Sequence, residues 1–171
     1  MRDDLRFGLE NPDMDKPTLY METTIPSYLF GAPSRDTLAK TRQEITRAWW
    51  RRDHTRFAVF VSETVFDEAK RGDPAAAEKR IEFLGQFPLL VSTPEVLLLT
   101  DRYLQKHIVP AKAPDDAIHL AFASVYRMEF LCTWNFKHLA NAFVLQRLRN
   151  LNEKQEWFTP QVCTPEELFG E

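Results

Sequence analysis

The feature that most constrains this chain is the alternation of short apolar runs with longer segments of helical periodicity. Apolar runs of strand length lie at residues 18–22, 57–61, 89–91 and 130–134. The intervening segments, such as 34–53 and 115–128, repeat their apolar residues at helical spacing. This alternation predicts an α/β fold, a three-layer α/β/α sandwich whose mainly parallel sheet is buried on both faces. In such sheets, ligands bind beyond the carboxyl ends of the strands.

Capping residues and prolines predict where the helices begin. Helices are expected to follow Ser62, Asp73, Thr93, Ala113 and Asn141. A short helix or turn is expected at 25–30, and an edge strand at 160–164. Residues 1–17 form a polar, proline-containing lead-in whose composition is typical of disorder, which leaves 18–171 as a single domain.

Composition excludes several classes of protein. A net charge of −3 argues against a generic basic nucleic-acid coat protein. The two cysteines, Cys132 and Cys163, are too far apart for a zinc ribbon and fit a reducing, cytoplasmic compartment. None of the five glycines belongs to a dinucleotide fingerprint or a P-loop. No apolar run is long enough to cross a bilayer, and the first residues lack the apolar stretch of a signal peptide, so no membrane partner is expected.

Four oxygen-bearing side chains fall where predicted strands end or helices begin. Glu22 ends the first strand, and Asn135 follows the run at 130–134. Asp116 lies in the first turn of a helix, and Glu68 lies on the inward flank of the helix after the second strand. Each has an ordinary explanation as a cap, a turn former or a solvated residue. Together, three carboxylates and an amide suit a hard cation, Mg²⁺ or Mn²⁺, and the chemistry such a cation supports is phosphodiester hydrolysis.

Neighbouring polar residues have competing interpretations. His119, on an apolar helix, is expected to be a satisfied core histidine rather than a metal ligand. Thr133 is placed to support the site from its strand, and Lys137 and His138 are loop residues that could contact phosphate. The arginines of residues 42–56 are expected to form a solvated face, with binding of RNA or of an acidic partner as the alternative.

Four segments resemble motifs of the PIN-domain family, particularly the VapC-type ribonuclease toxins of bacterial toxin–antitoxin pairs. The similar segments are residues 20–29 with Glu22, 61–74 with Glu68, 114–121 with Asp116, and 131–141 with Asn135. The last two are the most specific, because they combine an Asp-Ala-Ile-His helix start with a Thr-Trp-Asn strand end. The resemblance spans most of the chain between Tyr20 and Asn141 in the family's order.

The resemblance implies a PIN-like domain and an Mg²⁺- or Mn²⁺-dependent endoribonuclease that hydrolyses RNA. It further implies a homodimer and neutralisation by a small antitoxin protein. Glu22, Glu68, Asp116 and Asn135 would be its metal-binding and catalytic residues, with Asn135 orienting water or a ligand. The chain departs from the family pattern in having Glu22 and Asn135 where Asp is usual, which favours one metal ion over two. The alternative function is a catalytically weak or inactive PIN-like module that binds RNA or protein.

Overall fold

A single parallel sheet organises the fold in the computed structural model, which describes residues 15–170. Its five strands are β1 (Thr18–Met21), β2 (Ala58–Ser62), β3 (Leu89–Leu90), β4 (Phe130–Cys132) and β5 (Gln161–Cys163). They lie in the order β3-β2-β1-β4-β5, and every neighbouring pair is parallel. The predicted α/β class is confirmed, and the arrangement is consistent with a PIN-like fold. The expected lead-in falls largely on residues 1–14, which lie outside the described residues.

Seven helices flank the sheet in the described part of the chain. They are α1 (Thr24–Phe30), α2 (Thr37–Asp53), α3 (Glu63–Ala69), α4 (Pro74–Leu84), α5 (Pro94–Gln105), α6 (Pro114–Val125) and α7 (Ala142–Lys154). The side chains of Ser62, Asp73 and Asn141 accept hydrogen bonds from the first turns of α3, α4 and α7, as their positions predict. None of the helices within residues 15–170 combines the length and apolar character that a membrane crossing requires.

Among the elements that end earlier than the sequence predicts, two have a visible reason. The apolar run at 130–134 leaves the sheet after Cys132, because the amides of Trp134 and Asn135 donate to the hydroxyls of Thr24 and Thr133, both at 2.9 Å. Helix α6 stops at Val125 because the backbone of Arg127 turns left-handed, with φ of 54°. The first of these endings shapes the candidate site.

The core is centred on β1 and α6. Leu19, Tyr20 and Met21 of the central strand are fully buried, and α6 buries residues on nearly every side. Helix α6 packs against α5 on one side and contacts β4 and α3. A helix that is apolar almost all round is expected to be enclosed in this way, and the polar residues of its first turn are thereby held against the carboxyl edge of the sheet.

Truncating a core side chain of α6 is expected to destabilise the protein. Leu120→Ala removes a fully buried side chain, and we expect the free energy of unfolding to fall by about 2–5 kcal/mol because of lost burial and a residual cavity. Denaturant unfolding measures the change. The matched control is Leu97→Ala, which truncates a leucine that is 54% exposed and should cost less than about 0.5 kcal/mol. Equal losses in the two variants would contradict this account of the core.

Candidate metal centre

Glu22 is a buried carboxylate fixed at the end of the central strand. Its amide donates to the carbonyl of Cys132 at 3.1 Å, which joins it to the end of β4. Its side chain is buried, and Oε2 accepts from the amide of Thr24 at 3.0 Å, from the Thr24 hydroxyl at 2.6 Å and from the Thr133 hydroxyl at 2.8 Å. The other oxygen, Oε1, accepts no hydrogen bond from residues 15–170. One oxygen therefore anchors the carboxylate and the other remains available to a ligand.

Glu68 has the same arrangement on a different element. The cap at Ser62 starts α3 directly after β2, and the helix turns Glu68 inward while Glu63 and Asp67 stay exposed, as the sequence predicts. Oε2 of Glu68 accepts from the Thr23 hydroxyl and from Nε2 of His119, the latter at 2.9 Å. Oε1 again has no hydrogen-bond donor among the described residues. The two carboxylates thus each keep one oxygen free of protein partners.

His119 connects these carboxylates to a buried chain of hydrogen bonds. Its ring is 1% exposed, and its Nδ1 lies 2.6 Å from the hydroxyl of Tyr20, which lies 2.7 Å from Oγ of Ser62. One ligand atom from each of Glu22, Glu68 and His119 lies within 4.8 Å of the others, so the three together could hold a metal ion. Because both ring nitrogens already have partners, His119 is better suited to position Glu68 than to bind the ion itself. The expectation of a satisfied histidine agrees with these contacts.

The pKa values of the three groups shift in different directions. Burial raises the pKa of Glu22, and the charge of His119 and the Thr24 and Thr133 hydrogen bonds only partly oppose it. Burial acts in the same direction on Glu68, but the hydrogen bond and charge of His119 outweigh it, and the pKa of Glu68 is lowered. Burial alone would lower the pKa of His119, yet the bond to Glu68 and the nearby carboxylate charges raise it. The geometry therefore favours the charged forms of His119 and Glu68.

Asp116 belongs to a second cluster beside the first. Its Oδ1 accepts from Nδ2 of Asn135 at 2.8 Å, and its Oδ2 lies 2.6 Å from Nδ1 of His138. Oδ1 of Asn135 accepts from the His138 amide at 3.0 Å, so the Asn135 side chain is engaged at both ends. These contacts fit Asn135 as a residue that orients Asp116, and they give the loop residue His138 a defined place in the site.

The two clusters adjoin each other through shared elements. Asp116 and His119 are three residues apart on α6, and the hydroxyl of Thr133 donates to Glu22 while accepting from the amide of Asn135. Glu22 and Glu68 of the predicted set are thus brought together, whereas Asp116 lies outside their group of ligand atoms. The hydrogen bonds of His119 and Thr23 with Glu68 were not predicted. The three-residue spacing of Asp116 and His119 could have indicated that His119 lies in the site, because residues three apart share a helix face.

A surface cleft gives access to the paired carboxylates. It has a volume of about 260 Å³ and is lined by Glu22, Thr23, Thr24, Ser27, Tyr28 and Glu68. The cleft lies at the carboxyl edge of the sheet, where parallel α/β folds place their ligand sites. A hydrated cation could enter from this side and meet oxygen ligands from two different elements.

Comparisons with known proteins find matches among solved structures. No protein-family profile matches the chain, and no curated protein matches it. The chain is similar to one in the crystal structure of VapBC2 from Rickettsia felis bound to a DNA fragment from their promoter. The two are 13% identical over 86% of this chain and 98% of that chain, with a TM-score of 0.48. At that identity, residue roles do not transfer from that protein to this one.

Protonation of His119 is expected to make the free energy of unfolding of the protein depend on pH when no metal is bound. A raised pKa means that the folded protein keeps this proton at pH values where the unfolded chain releases it. The stabilisation is therefore complete below the unfolded value of 6.5 and is lost as pH rises through the folded pKa. Urea unfolding in EDTA at successive pH values should show the free energy of unfolding falling above 6.5.

Replacing the histidine tests the source of that slope. His119→Gln should flatten the decline, because the titrating ring is gone. His107→Asn is the control, since that histidine is exposed and has a positive φ that Asn tolerates. An unchanged slope in His119→Gln would show that another group carries the proton.

Proposed function

We propose that this protein is a metal-dependent endoribonuclease that hydrolyses RNA phosphodiester bonds. The observation that carries the proposal is the pair of carboxylates of Glu22 and Glu68 beside one cleft. Each carboxylate is anchored through Oε2, and its Oε1 accepts no hydrogen bond from residues 15–170. Glu22, Glu68 and Asp116 are proposed as the metal ligands, directly or through water. Asn135 completes the set by orienting Asp116 or a bound water.

The donor set fits Mg²⁺ or Mn²⁺. Both ions take oxygen ligands, and Mg²⁺ retains several waters and binds through one or two carboxylates plus substrate phosphate. A buried carboxylate and a half-buried one near each other are costly unless a cation offsets them, and His119 supplies at most one positive charge. A divalent ion would add the missing charge without displacing the Thr24, Thr133 and His119 bonds that hold the carboxylates.

The protein's own residues would have separate roles at this site. A divalent cation at this site supplies neutralisation of phosphate charge and favours deprotonation of water. Thr24 and Thr133 hold Glu22 in place, and His119 does the same for Glu68. Asn135 and His138 fix the direction of Asp116, which places a third acid to hold a water or accept its proton.

The biological setting is proposed from the four PIN-like segments. They support a cytoplasmic toxin of a type II toxin–antitoxin pair, acting as a homodimer of one PIN-like domain over residues 18–171, with RNA as substrate and a small antitoxin as partner. The rival is a weak or inactive module that binds RNA or protein. It is favoured by one observation, namely that both oxygens of Asp116 already have partners.

RNA cleavage tests the catalytic proposal. We expect cleavage in Mg²⁺ or Mn²⁺ that is lost in EDTA. Asp116→Asn should lower the rate by about 100-fold or more, because loss of a metal-site carboxylate removes several kcal/mol of transition-state stabilisation. The matched control is Asp115→Asn, which removes the neighbouring exposed carboxylate that pairs with Arg71 and should leave the rate within about twofold. Equal effects of the two variants would contradict the proposed role of Asp116.

Titration with Mn²⁺ separates the nuclease from the inactive module. Calorimetry should detect Mn²⁺ binding to the protein and its loss in Glu68→Gln, because the amide removes a charged ligand. His119→Gln should weaken binding by about 10- to 100-fold, as expected when a group that orients a ligand is removed. Asp67→Asn, on the exposed side of the same helix, is the control. A folded protein that binds no Mn²⁺ would refute the metal centre and leave the inactive module.

A further inference from the structure

Two aromatic residues flank Asn135 at the edge of the candidate site. Trp134 is buried, whereas Phe136 is 44% exposed. Their ring centroids are 6.0 Å apart with the planes inclined at 57°. The Asn135 side chain between them donates to Asp116 at 2.8 Å, so the exposed ring belongs to the residue that follows a contact of a candidate metal ligand.

The aromatic pair is held rigidly. Nε1 of Trp134 donates to the hydroxyl of Thr46 in α2 at 2.7 Å, and Tyr28 of α1 packs edge-on against the indole at 6.3 Å. The amide of Phe136 donates to the carbonyl of Trp134 at 3.0 Å, which closes a tight turn. Tyr28 also lines the cleft that contains Glu22 and Glu68, so the aromatic group is continuous with the wall of the metal site.

Arg42 covers these rings with a positive charge. It lies one helical turn before Thr46 in α2, and its Cζ is 4.8 Å from the ring centroid of Phe136 and 5.6 Å from that of Trp134. No carboxylate of residues 15–170 forms an ion pair with it. Arg47 of the same helix, by contrast, donates to the carbonyls of Leu29 and Gly31. The charge of Arg42 is therefore available to an anion.

We propose that Phe136 and Arg42 form a stacking subsite for one base of a single-stranded RNA bound across the metal centre. This rests on the proposed nuclease function and adds how the substrate is held. An aromatic face stacks on any base, and a guanidinium contributes both cation–π attraction and a phosphate contact. A base can reach an exposed ring only when it is unstacked from its neighbours, so the subsite selects single strands over duplex without reading sequence.

Charge distinguishes RNA from an apolar protein partner at this surface. The neighbouring carboxylates of Glu22, Glu68 and Asp116 would repel a polyanion unless cationic groups offset them. Arg42 supplies that positive charge at the rim, and the exposed Lys137 follows Phe136 in the same turn. A protein that only covered the apolar ring of Phe136 would not require the unpaired guanidinium of Arg42 beside it. The combination fits a ligand that has both an aromatic ring and a phosphate.

Binding measured without cleavage tests the subsite. Fluorescence anisotropy of a labelled eight-nucleotide single-stranded RNA, with the full chain in EDTA, should show Phe136→Ala weakening binding by about 5- to 150-fold. Phe136→Tyr should retain it, because the stacking face remains. Phe143→Ala is the matched control, since that phenylalanine is 72% exposed on α7 and should not matter. Arg42→Gln should weaken binding and reduce its salt dependence by about one counterion.

Each outcome decides either the subsite or the nuclease. Equal losses for Phe136→Ala and Phe143→Ala, no RNA binding by the unsubstituted chain, or equal losses for a duplex probe would overturn the subsite. A change in oligomeric state of Phe136→Ala with RNA binding unchanged would also overturn it and identify a protein interface. A Phe136-dependent RNA complex that is never cleaved in Mg²⁺ or Mn²⁺ would uphold the subsite and refute the nuclease. If the protein cleaves RNA and Phe136→Ala binds RNA as tightly as the unsubstituted chain, the nuclease is upheld and the subsite is refuted.

Discussion

The burial of the Glu22 carboxylate at the end of the central strand is the constraint on which the rest of the site depends. A charged group removed from water is stable only when donors replace its hydration. Here the donors come from two elements far apart in the sequence: Thr24, which begins α1, and Thr133, which lies just beyond β4. Satisfying one acid thus brings together the start of a helix and the end of a distant strand, and the cleft lies beside them.

The second acid is organised by the hydrogen-bonded chain from Ser62 through Tyr20 to His119. This chain joins β2, β1 and α6 before it reaches Glu68 on α3. A carboxylate accepts but cannot donate, so Nε2 of His119 carries the proton toward Glu68. With Nδ1 unprotonated, the ring accepts from Tyr20; with a second proton, it donates to Tyr20 instead. Either direction preserves the position of Glu68, which suits a residue whose role is to hold a ligand.

Asp116 and the aromatic turn extend the same edge outward. Asn135 connects them, because its side chain bonds Asp116 while its neighbours in sequence are Trp134 and Phe136. A neutral amide at this position donates to Asp116, which a carboxylate could not do without first taking up a proton. Asn135 therefore supplies a fixed hydrogen bond where an aspartate would supply a possible metal ligand. The turn that contains Asn135 therefore connects Asp116 of the candidate metal centre with the proposed base-stacking subsite.

Local chemistry alone determined much of the architecture. Apolar strand-length runs, helical periodicity, and the caps at Ser62, Asp73 and Asn141 act over a few residues, so their effects on β2, α3, α4 and α7 could be predicted. The rule that parallel strands expose their sites at their carboxyl ends also placed Glu22 and Asn135 at one edge before any contact was known.

Only the tertiary structure decided how those residues meet. The contact of His119 with Glu68 joins positions 51 residues apart, and that of Thr133 with Glu22 joins positions 111 apart. No local pattern encodes such pairs, because they depend on how far each helix is rotated about its axis and where β4 leaves the sheet. The same is true of Arg42 over Phe136, where one helix and one loop far apart in sequence meet. The sequence determined which side chains reach the carboxyl edge of the sheet, and tertiary packing determined which of their oxygens have no hydrogen-bond donor among the described residues.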